Sequence, residues 1–184
     1  MLITPIFGLF YFFGRKRRLR DYFDEYKYQE IKDSDNLIYK ALEIVTVLFE
    51  NDLDKGGLPY MLHITYVYKH VLSIEEKVVA LLHDVIEDKD VSSKDLIEVG
   101  FPKEIVDDVT SLTRIRPMDY NEYIDNLIKD GSIRALHVKL ADLENNIDLT
   151  RIKNPTMEDY QRVEKRYIPT HTKIVNRLKE IEKW

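Results

Sequence analysis

Four side chains in this sequence are of the types that bind divalent metal ions. They are His63, the adjacent pair His83 and Asp84, and Asp142. Two imidazoles and two carboxylates suit a cation such as Mn²⁺, Fe²⁺, Zn²⁺ or Co²⁺, and they leave coordination positions open for water and a phosphate oxygen. A single histidine on a half-apolar helix is more often a core residue than a ligand, so the inference depends on the joint pattern. That pattern predicts a metal site that activates water against a phosphate ester or anhydride.

The surroundings of the two aspartates support this prediction. Asp84 follows His83 and an apolar run at residues 78–82, and Asp142 follows the apolar pair at residues 140–141. Carboxylates beside buried helix faces are rare unless they are paired or bound to metal. We therefore expect both aspartates to be ligands.

Two further acids, Glu87 and Asp88, lie four residues after His83 and Asp84, which is about one helical turn. Negative charge near the C-terminus of a helix is disfavoured by the helix dipole, so local stability does not explain these acids. We predict that both are catalytic and that they orient or deprotonate the attacking water.

The elements that must position these residues are predicted to be helices. Apolar residues recur at spacings of three and four, and Ser73 and Thr156 are suited to cap helices. The pattern contains no strand alternation and no Asn-Gly hairpin, so the predicted fold class is all-α. The predicted helices span 37–49, 60–70, 73–88, a short stretch between 92 and 100, 102–112, 119–129, 132–147 and 156–184, the last kinked or split at Pro169.

Composition narrows the class of function. The 184 residues fit one domain, and the absence of cysteine excludes disulfides and thiolate metal sites, as fits a cytoplasmic protein. A net charge of −5 argues against binding to nucleic acid, which usually requires an excess of Lys and Arg. A small phosphorylated substrate needs only a local cluster of cations, so we expect a nucleotide-sized partner.

The N-terminal segment differs from the rest of the chain. Residues 2–13 are strongly apolar and are followed by a basic run at residues 15–20. This segment is shorter than the roughly 20 apolar residues that span a membrane, and its charge follows the apolar stretch, unlike that of a signal peptide. Three interpretations stay open: a packed arm, a membrane-surface anchor and a poorly ordered start. We assign residues 1–30 to an arm and residues 31–184 to the catalytic domain.

Three blocks of the sequence resemble a known family. They are residues 54–63 (DKGGLPYMLH), residues 80–88 (ALLHDVIED), and residues 138–142 (VKLAD) with Asn146. Over roughly residues 36–155 the chain resembles the HD superfamily, and within it the (p)ppGpp hydrolase domain of RelA/SpoT homologues and the stand-alone small alarmone hydrolases. The resemblance implies an HD-domain helical bundle.

The resemblance also implies roles for individual residues. The Mn²⁺ ligands that it implies are His63, His83, Asp84 and Asp142. Glu87 and Asp88 would activate water so that pyrophosphate is released from the 3′ position of a nucleotide. Lys55 and Asn146 match family positions near the nucleotide, and Tyr60 lies beside them in sequence.

Two positions depart from the family pattern. Bifunctional family members have an arginine that packs on the guanine base where this chain has Asp54, and another arginine where it has Leu143. An HD nucleotidase or phosphodiesterase acting on another nucleotide is therefore the alternative within the same chemistry. A non-catalytic nucleotide-binding module with a structural metal is the alternative of a different class.

Phosphate binding requires cations close to the metal-binding motifs. Lys139 is the first choice for substrate binding because it precedes Asp142 by three residues. The cations nearest to the motifs in sequence are Lys55, Arg114, Arg134, Lys139 and Arg151.

Overall fold

The computed structural model describes residues 18–182, and every regular element in that range is helical. The predicted all-α class is therefore confirmed. The α-helices are α1 (Glu25–Asp33), α2 (Leu37–Leu48), α3 (Met61–Lys69), α4 (Ile74–Leu82), α5 (Val85–Asp88), α6 (Ser93–Glu98), α7 (Lys103–Leu112), α8 (Tyr120–Asp130), α9 (Ile133–Ile147), α10 (Met157–Arg162) and α11 (Ile168–Glu182). Short 3-10 helices cover Leu19–Tyr22 and Leu149–Arg151, and a π turn covers Val163–Tyr167.

Helix α4 lies at the centre of the bundle. It packs against α2, α3, α7 and α9. A helix that is apolar on all sides is stable only when neighbouring elements cover it. Its last five residues, all of them buried, are Val78, Val79, Ala80, Leu81 and Leu82. The His83–Asp84 pair follows directly, so it leaves the helix in the interior of the protein.

Capping residues begin helices in the structure, among them Ser73 and Thr156, which the sequence suggests as caps. Ser73, Ser92 and Thr156 each accept a hydrogen bond from a backbone amide in the first turn of the following helix. Gly131 ends α8 where a Cβ atom would lie 2.4 Å from the carbonyl oxygen of Leu127, so a side chain cannot fit there. These local signals fix where the helices begin and end.

The prediction of one continuous helix over residues 73–88 was wrong. Helix α4 ends before His83, and Asp84 adopts φ −101° and ψ −2° before α5 begins. The Nδ1–H group of His83 donates to the carbonyl oxygen of Ala80 at 2.7 Å. In a continuous helix the amide of Asp84 would use that same carbonyl, so the side chain of His83 competes with the helix at this turn.

The predicted disruption near Pro169 takes the form of a π turn. The amide of Ile168 donates to the carbonyl of Val163, five residues earlier, just before Pro169. Proline has no N–H group, and in an α-helix its ring would collide with the carbonyl of Lys165. The wider turn relieves this conflict and also places Tyr167 at the cavity described below.

The N-terminal arm is only partly covered by the structure. Leu19 and Tyr28, which belong to the segment predicted as an arm, are buried in the common core. Residues 1–17, on which the three interpretations of the arm depend, lie outside the described residues. Within residues 18–182, no helix combines the length and apolar character needed to cross a membrane.

Candidate functional site

The four predicted metal ligands come together from three parts of the bundle. His63 lies on α3, His83 and Asp84 form the turn after α4, and Asp142 lies on α9. The Nε2 atom of His63 lies 3.2 Å from Nε2 of His83, 3.4 Å from Oδ1 of Asp142 and 3.6 Å from Oδ2 of Asp84. The Nε2 atom of His83 lies 2.9 Å from Oδ2 of Asp84. One potential ligand atom from each of His63, His83 and Asp142 lies within 4.8 Å of the other two, and the carboxylate of Asp84 adjoins both histidines.

Hydrogen bonds on the far side of each imidazole fix which nitrogen faces the cluster. The Nδ1–H of His63 donates to Oδ1 of Asn145 at 2.7 Å, and that of His83 donates to the carbonyl of Ala80 at 2.7 Å. In the neutral rings, both Nε2 atoms therefore present lone pairs to each other and to the carboxylates. Lone pairs 3.2 Å apart repel unless positive charge lies between them. The donor set therefore fits a divalent cation.

The electrostatics of the cluster also favour a cation. Burial lowers the pKa of His83, but the facing carboxylates of Asp84 and Asp142 outweigh it and raise that pKa to about 9. Burial raises the pKa of Asp84, yet His83 and His63 hold it well below its usual range. Without metal, the cluster thus takes up a proton, which a metal ion would displace on binding.

Three residues predicted to bind substrate contact the carboxylates of Asp84 and Asp142 directly. The hydroxyl of Tyr60 donates to Oδ2 of Asp84 at 2.5 Å. Lys139 Nζ donates to Oδ2 of Asp142 at 2.8 Å, and Asn146 Nδ2 donates to Oδ1 of the same carboxylate at 2.5 Å. These contacts orient the carboxylates, as hydrogen bonds around metal ligands generally do.

Asp54 is tied to the site through Arg151. Oδ2 of Asp54 pairs with Nη1 of Arg151 at 2.5 Å, and Nη2 of Arg151 donates to Oδ1 of Asn146 at 3.3 Å. Oδ1 of Asp54 accepts the amides of Gly56 and Leu58 at 2.8 and 3.0 Å. Both oxygens of Asp54 are thus engaged within the protein, and the loop before α3 is fastened to α9.

The four predicted ligands, which form the metal-ligand cluster, line a cavity of about 490 Å³. This volume lies within the range of roughly 300–1,000 Å³ typical of small-molecule sites. The other predicted site residues that line it are Lys55, Tyr60, Glu87, Asp88, Lys139 and Asn146. Further cations and aromatic residues in its wall are Arg114, Arg116, Arg151, Arg162, Arg166, Tyr120, Tyr123 and Tyr167. The cavity therefore combines a cation site with groups suited to phosphates and a base.

The two predicted catalytic acids have different surroundings in this cavity. Oε2 of Glu87 accepts the backbone amide of Arg114 at 2.9 Å, which fixes its position. Burial, reinforced by the negative charges of Asp84 and Glu87, raises the pKa of Asp88 to about 6. A carboxyl group with a pKa near neutrality is well matched to proton transfer at physiological pH.

One of the cations near the motifs in sequence, Arg134, lies away from the cavity. Arg134 forms an ion pair with the buried Asp108, and its Nη2 donates to the carbonyl of Glu104 at 3.4 Å. It does not line the cavity. Proximity in sequence to Asp142 suggested Arg134, but Asp108 on α7 holds it away from the site.

Several residues at the site were missed by the sequence analysis. Asn145 follows Asp142 by three residues on α9, so a helical projection would have placed it on the same side. Arg162 directly precedes the π turn and Arg166 lies within it, far along the chain from the motifs. Only tertiary packing brings them to the cavity.

Removal of the hydrogen bond to His63 should weaken metal binding. We expect Asn145→Ala to lower the affinity for a divalent cation by about 10- to 100-fold, because the imidazole loses the acceptor that fixes its tautomer and orientation. Calorimetric titration with Mn²⁺ would measure the effect. Asn121→Ala, at an exposed position on α8, is the matched control, and equal affinities in the two variants would contradict the role given to Asn145.

Comparison with known proteins gives related hydrolases. A guanosine-3′,5′-bis(diphosphate) 3′-pyrophosphohydrolase of Borreliella burgdorferi is 27% identical over 157 residues, covering 77% of this chain and 23% of that protein. The chain thus matches less than a quarter of that relative's length. Guanosine-3′,5′-bis(diphosphate) 3′-pyrophosphohydrolase MESH1 of Drosophila melanogaster is 31% identical over 137 residues, covering 68% of this chain and 74% of that protein. No protein-family model matches the sequence.

A solved structure has a similar fold. It is described as a metazoan ortholog of SpoT that hydrolyses ppGpp and plays a role in starvation responses. The TM-score is 0.64 and the sequence identity 25%, over 79% of this chain and 86% of that one. The likeness extends over most of both chains.

Proposed function

We propose that this chain, which belongs to the guanosine-3′,5′-bis(diphosphate) 3′-pyrophosphohydrolase family, hydrolyses the 3′-pyrophosphate of (p)ppGpp or a related alarmone. The observation that carries the proposal is the convergence of His63, His83, Asp84 and Asp142 in a cavity rich in cations. The reaction consumes one water and yields pyrophosphate and a nucleotide with a free 3′-hydroxyl.

The residues that would hold the divalent cation are the four that converge, and we propose that the native metal is Mn²⁺. When bound, the cation supplies Lewis-acid polarisation of the scissile phosphate and lowers the pKa of water. Tyr60, Lys139 and Asn146 keep the carboxylates of Asp84 and Asp142 in place. These three residues also line the cavity, so they are proposed to lie beside the bound nucleotide.

Glu87 and Asp88 are the proposed catalytic acids. Asp88 accepts a proton from the attacking water, because its raised pKa of about 6 leaves it ionised yet basic at neutral pH. Glu87, held by the amide of Arg114, orients that water. These acids distinguish a hydrolase from a binding module, since a structural metal site would need the ligands alone.

Charge in the cavity wall suits a polyphosphorylated substrate. Lys55 lies close to Arg162 and Arg151, and loss of hydration together with these positive neighbours lowers its pKa. Arg151 pairs with Asp54, and Arg162 pairs with Glu158 and Asp159, whereas Lys55 forms no ion pair within residues 18–182. Lys55 is therefore the cation of this group that is proposed to contact phosphate.

A nucleotide other than (p)ppGpp is a second candidate substrate because of Asp54. Its two oxygens are occupied by Arg151 and by backbone amides, so it cannot replace an arginine that packs on a guanine base. The proposed alternative is HD-type hydrolysis of another nucleotide by the same metal site.

Product analysis tests this proposal. The protein is incubated with Mn²⁺ and ppGpp, the adenine alarmone ppApp, or simple nucleoside monophosphates, with a chelator and the Asp84→Ala variant as controls. We expect free pyrophosphate and GDP from ppGpp, and no product in either control. Release of phosphate from monophosphates alone would favour the alternative, and turnover that survives in Asp84→Ala would exclude both forms of the metal-dependent reaction.

A further inference from the structure

The hydroxyl of Tyr120 is a buried polar atom with no hydrogen-bond partner in residues 18–182. Buried hydroxyls are nearly always paired, because loss of hydration without a replacement bond is unfavourable. Tyr120 lines the same cavity as the metal-ligand cluster and Glu87. Its position therefore suggests that the missing partner is a bound molecule.

Two guanidinium groups flank the ring of Tyr120. The central carbons of Arg114 and Arg166 lie 6.0 and 5.7 Å from the ring centre. Within the described part of the chain, neither guanidinium forms an ion pair with a carboxylate, whereas Arg134, Arg151 and other cations do. Asp119 interacts electrostatically with Arg166 but forms no ion pair with it, and backbone amides that donate to Oδ1 of Asp119 do most to lower its pKa. The two guanidinium groups thus keep their hydrogen-bonding capacity.

We propose that Tyr120, Arg114 and Arg166 form a subsite for a diphosphate group, in which the hydroxyl of Tyr120 donates to a phosphate oxygen. This proposal rests on the proposed function and names residues that recognise the substrate away from the metal. A nucleotide with two diphosphate groups carries more negative charge than one metal ion offsets. Guanidinium groups bind phosphate oxygens through charge-assisted hydrogen bonds, and a phenol adds a neutral donor.

The diphosphate has two possible sources, which kinetics distinguish. It is either the 5′-diphosphate of the substrate or the 3′-pyrophosphate that leaves. Tyr120→Phe removes one oxygen, and we expect it to weaken the interaction about tenfold, as for a hydrogen bond to a charged group. If the subsite holds the 5′-diphosphate, KM rises for ppGpp but not for guanosine 3′-diphosphate. If it holds the 3′ group, both KM values rise.

A structural role for Tyr120 predicts a different result. Because the hydroxyl is unpaired in the protein, Tyr120→Phe should leave the melting temperature of the metal-free protein unchanged or slightly higher. Tyr26→Phe, at a residue that is 83% exposed on α1, makes the same chemical change away from the cavity. A lower melting temperature together with unchanged kinetic constants would assign Tyr120 to the fold and overturn the subsite.

Measurement of pyrophosphate binding distinguishes a failure of the Tyr120 subsite from a failure of the proposed function. Inorganic pyrophosphate is titrated calorimetrically into chelator-treated wild type, Tyr120→Phe, Arg166→Gln and Tyr26→Phe. We expect about tenfold weaker binding in the first two variants and wild-type binding in the last. If wild type fails to hydrolyse ppGpp but binds pyrophosphate through Tyr120, the proposed function is refuted and the subsite is supported. If wild type hydrolyses ppGpp but Tyr120→Phe has the same KM and the same pyrophosphate affinity, only the subsite is refuted.

Discussion

Asp142→Asn is expected to lower turnover of ppGpp by about 10³-fold or more. A bound metal ion stabilises the transition state by several kcal/mol, and the loss of that stabilisation corresponds to this factor. Asparagine keeps the shape of the side chain but removes its negative charge, which lies 3.4 Å from Nε2 of His63. Metal affinity should fall with activity. Steady-state release of pyrophosphate and calorimetric titration with Mn²⁺ would measure the two effects.

The same substitution should also destabilise the metal-free protein. The side chain of Lys139 is largely buried, and although burial lowers its pKa, the Asp142 carboxylate raises that pKa well above its usual range. Removal of the carboxylate leaves a buried cation without its partner. We expect the free energy of unfolding to fall by about 3 kcal/mol, as is usual when one member of a buried ion pair is removed.

The double variant Asp142→Asn/Lys139→Met separates the two effects. Methionine fills a similar volume without a charge, so the double variant should recover most of the stability and none of the activity. Denaturant unfolding in the presence of a chelator would measure this recovery. Retained Mn²⁺ affinity and retained turnover in Asp142→Asn would show that Asp142 is not a ligand.

The proximity of His63, His83, Asp84 and Asp142 could be predicted from sequence because its signals are local and rare. These four residues each combine a metal-binding side chain with an apolar helix, and buried polar groups of this kind need partners. The helix positions followed from capping residues and apolar spacing. Both kinds of signal come from residues close together in the chain.

The turn at His83 shows where local signals fail. Helix propensity predicts continuation through Asp88, but the side chain of His83 takes the carbonyl of Ala80 and the helix breaks. This break turns Asp84 towards His63, and Oδ2 of Asp84 lies 3.6 Å from Nε2 of His63. A side chain that competes with the backbone is not visible in apolar periodicity.

The cations of the cavity could be predicted only in part, because their positions depend on tertiary packing. Arg134 is eight residues from Asp142, yet Asp108 on α7 captures it. Arg162 and Arg166 reach the cavity through the π turn, which packs against α9. Sequence distance from a motif therefore says little about which cations meet the substrate.

Asp88→Asn should lower kcat by about 10²- to 10⁴-fold while metal affinity stays close to that of the wild type, because Asp88 is proposed to accept a proton and is not among the ligands. Asparagine cannot accept the proton of the attacking water. Its similar size keeps the packing in α5. A loss in kcat without a loss in Mn²⁺ affinity would distinguish Asp88 from Asp142.

The pH profile gives the second test of Asp88. Asp88 must be ionised to act as the base. Burial, together with the negative charges of Asp84 and Glu87, raises the pKa of Asp88 to about 6. Activity of the wild type should therefore fall as the pH drops through about 6, or somewhat lower when the positive charge of a bound cation is added. Asp88→Asn should lose this acid limb, whereas Asp107→Asn, at an exposed acid on α7, should retain it. An unchanged acid limb in Asp88→Asn would assign that titration, and the role of base, to another group such as Glu87.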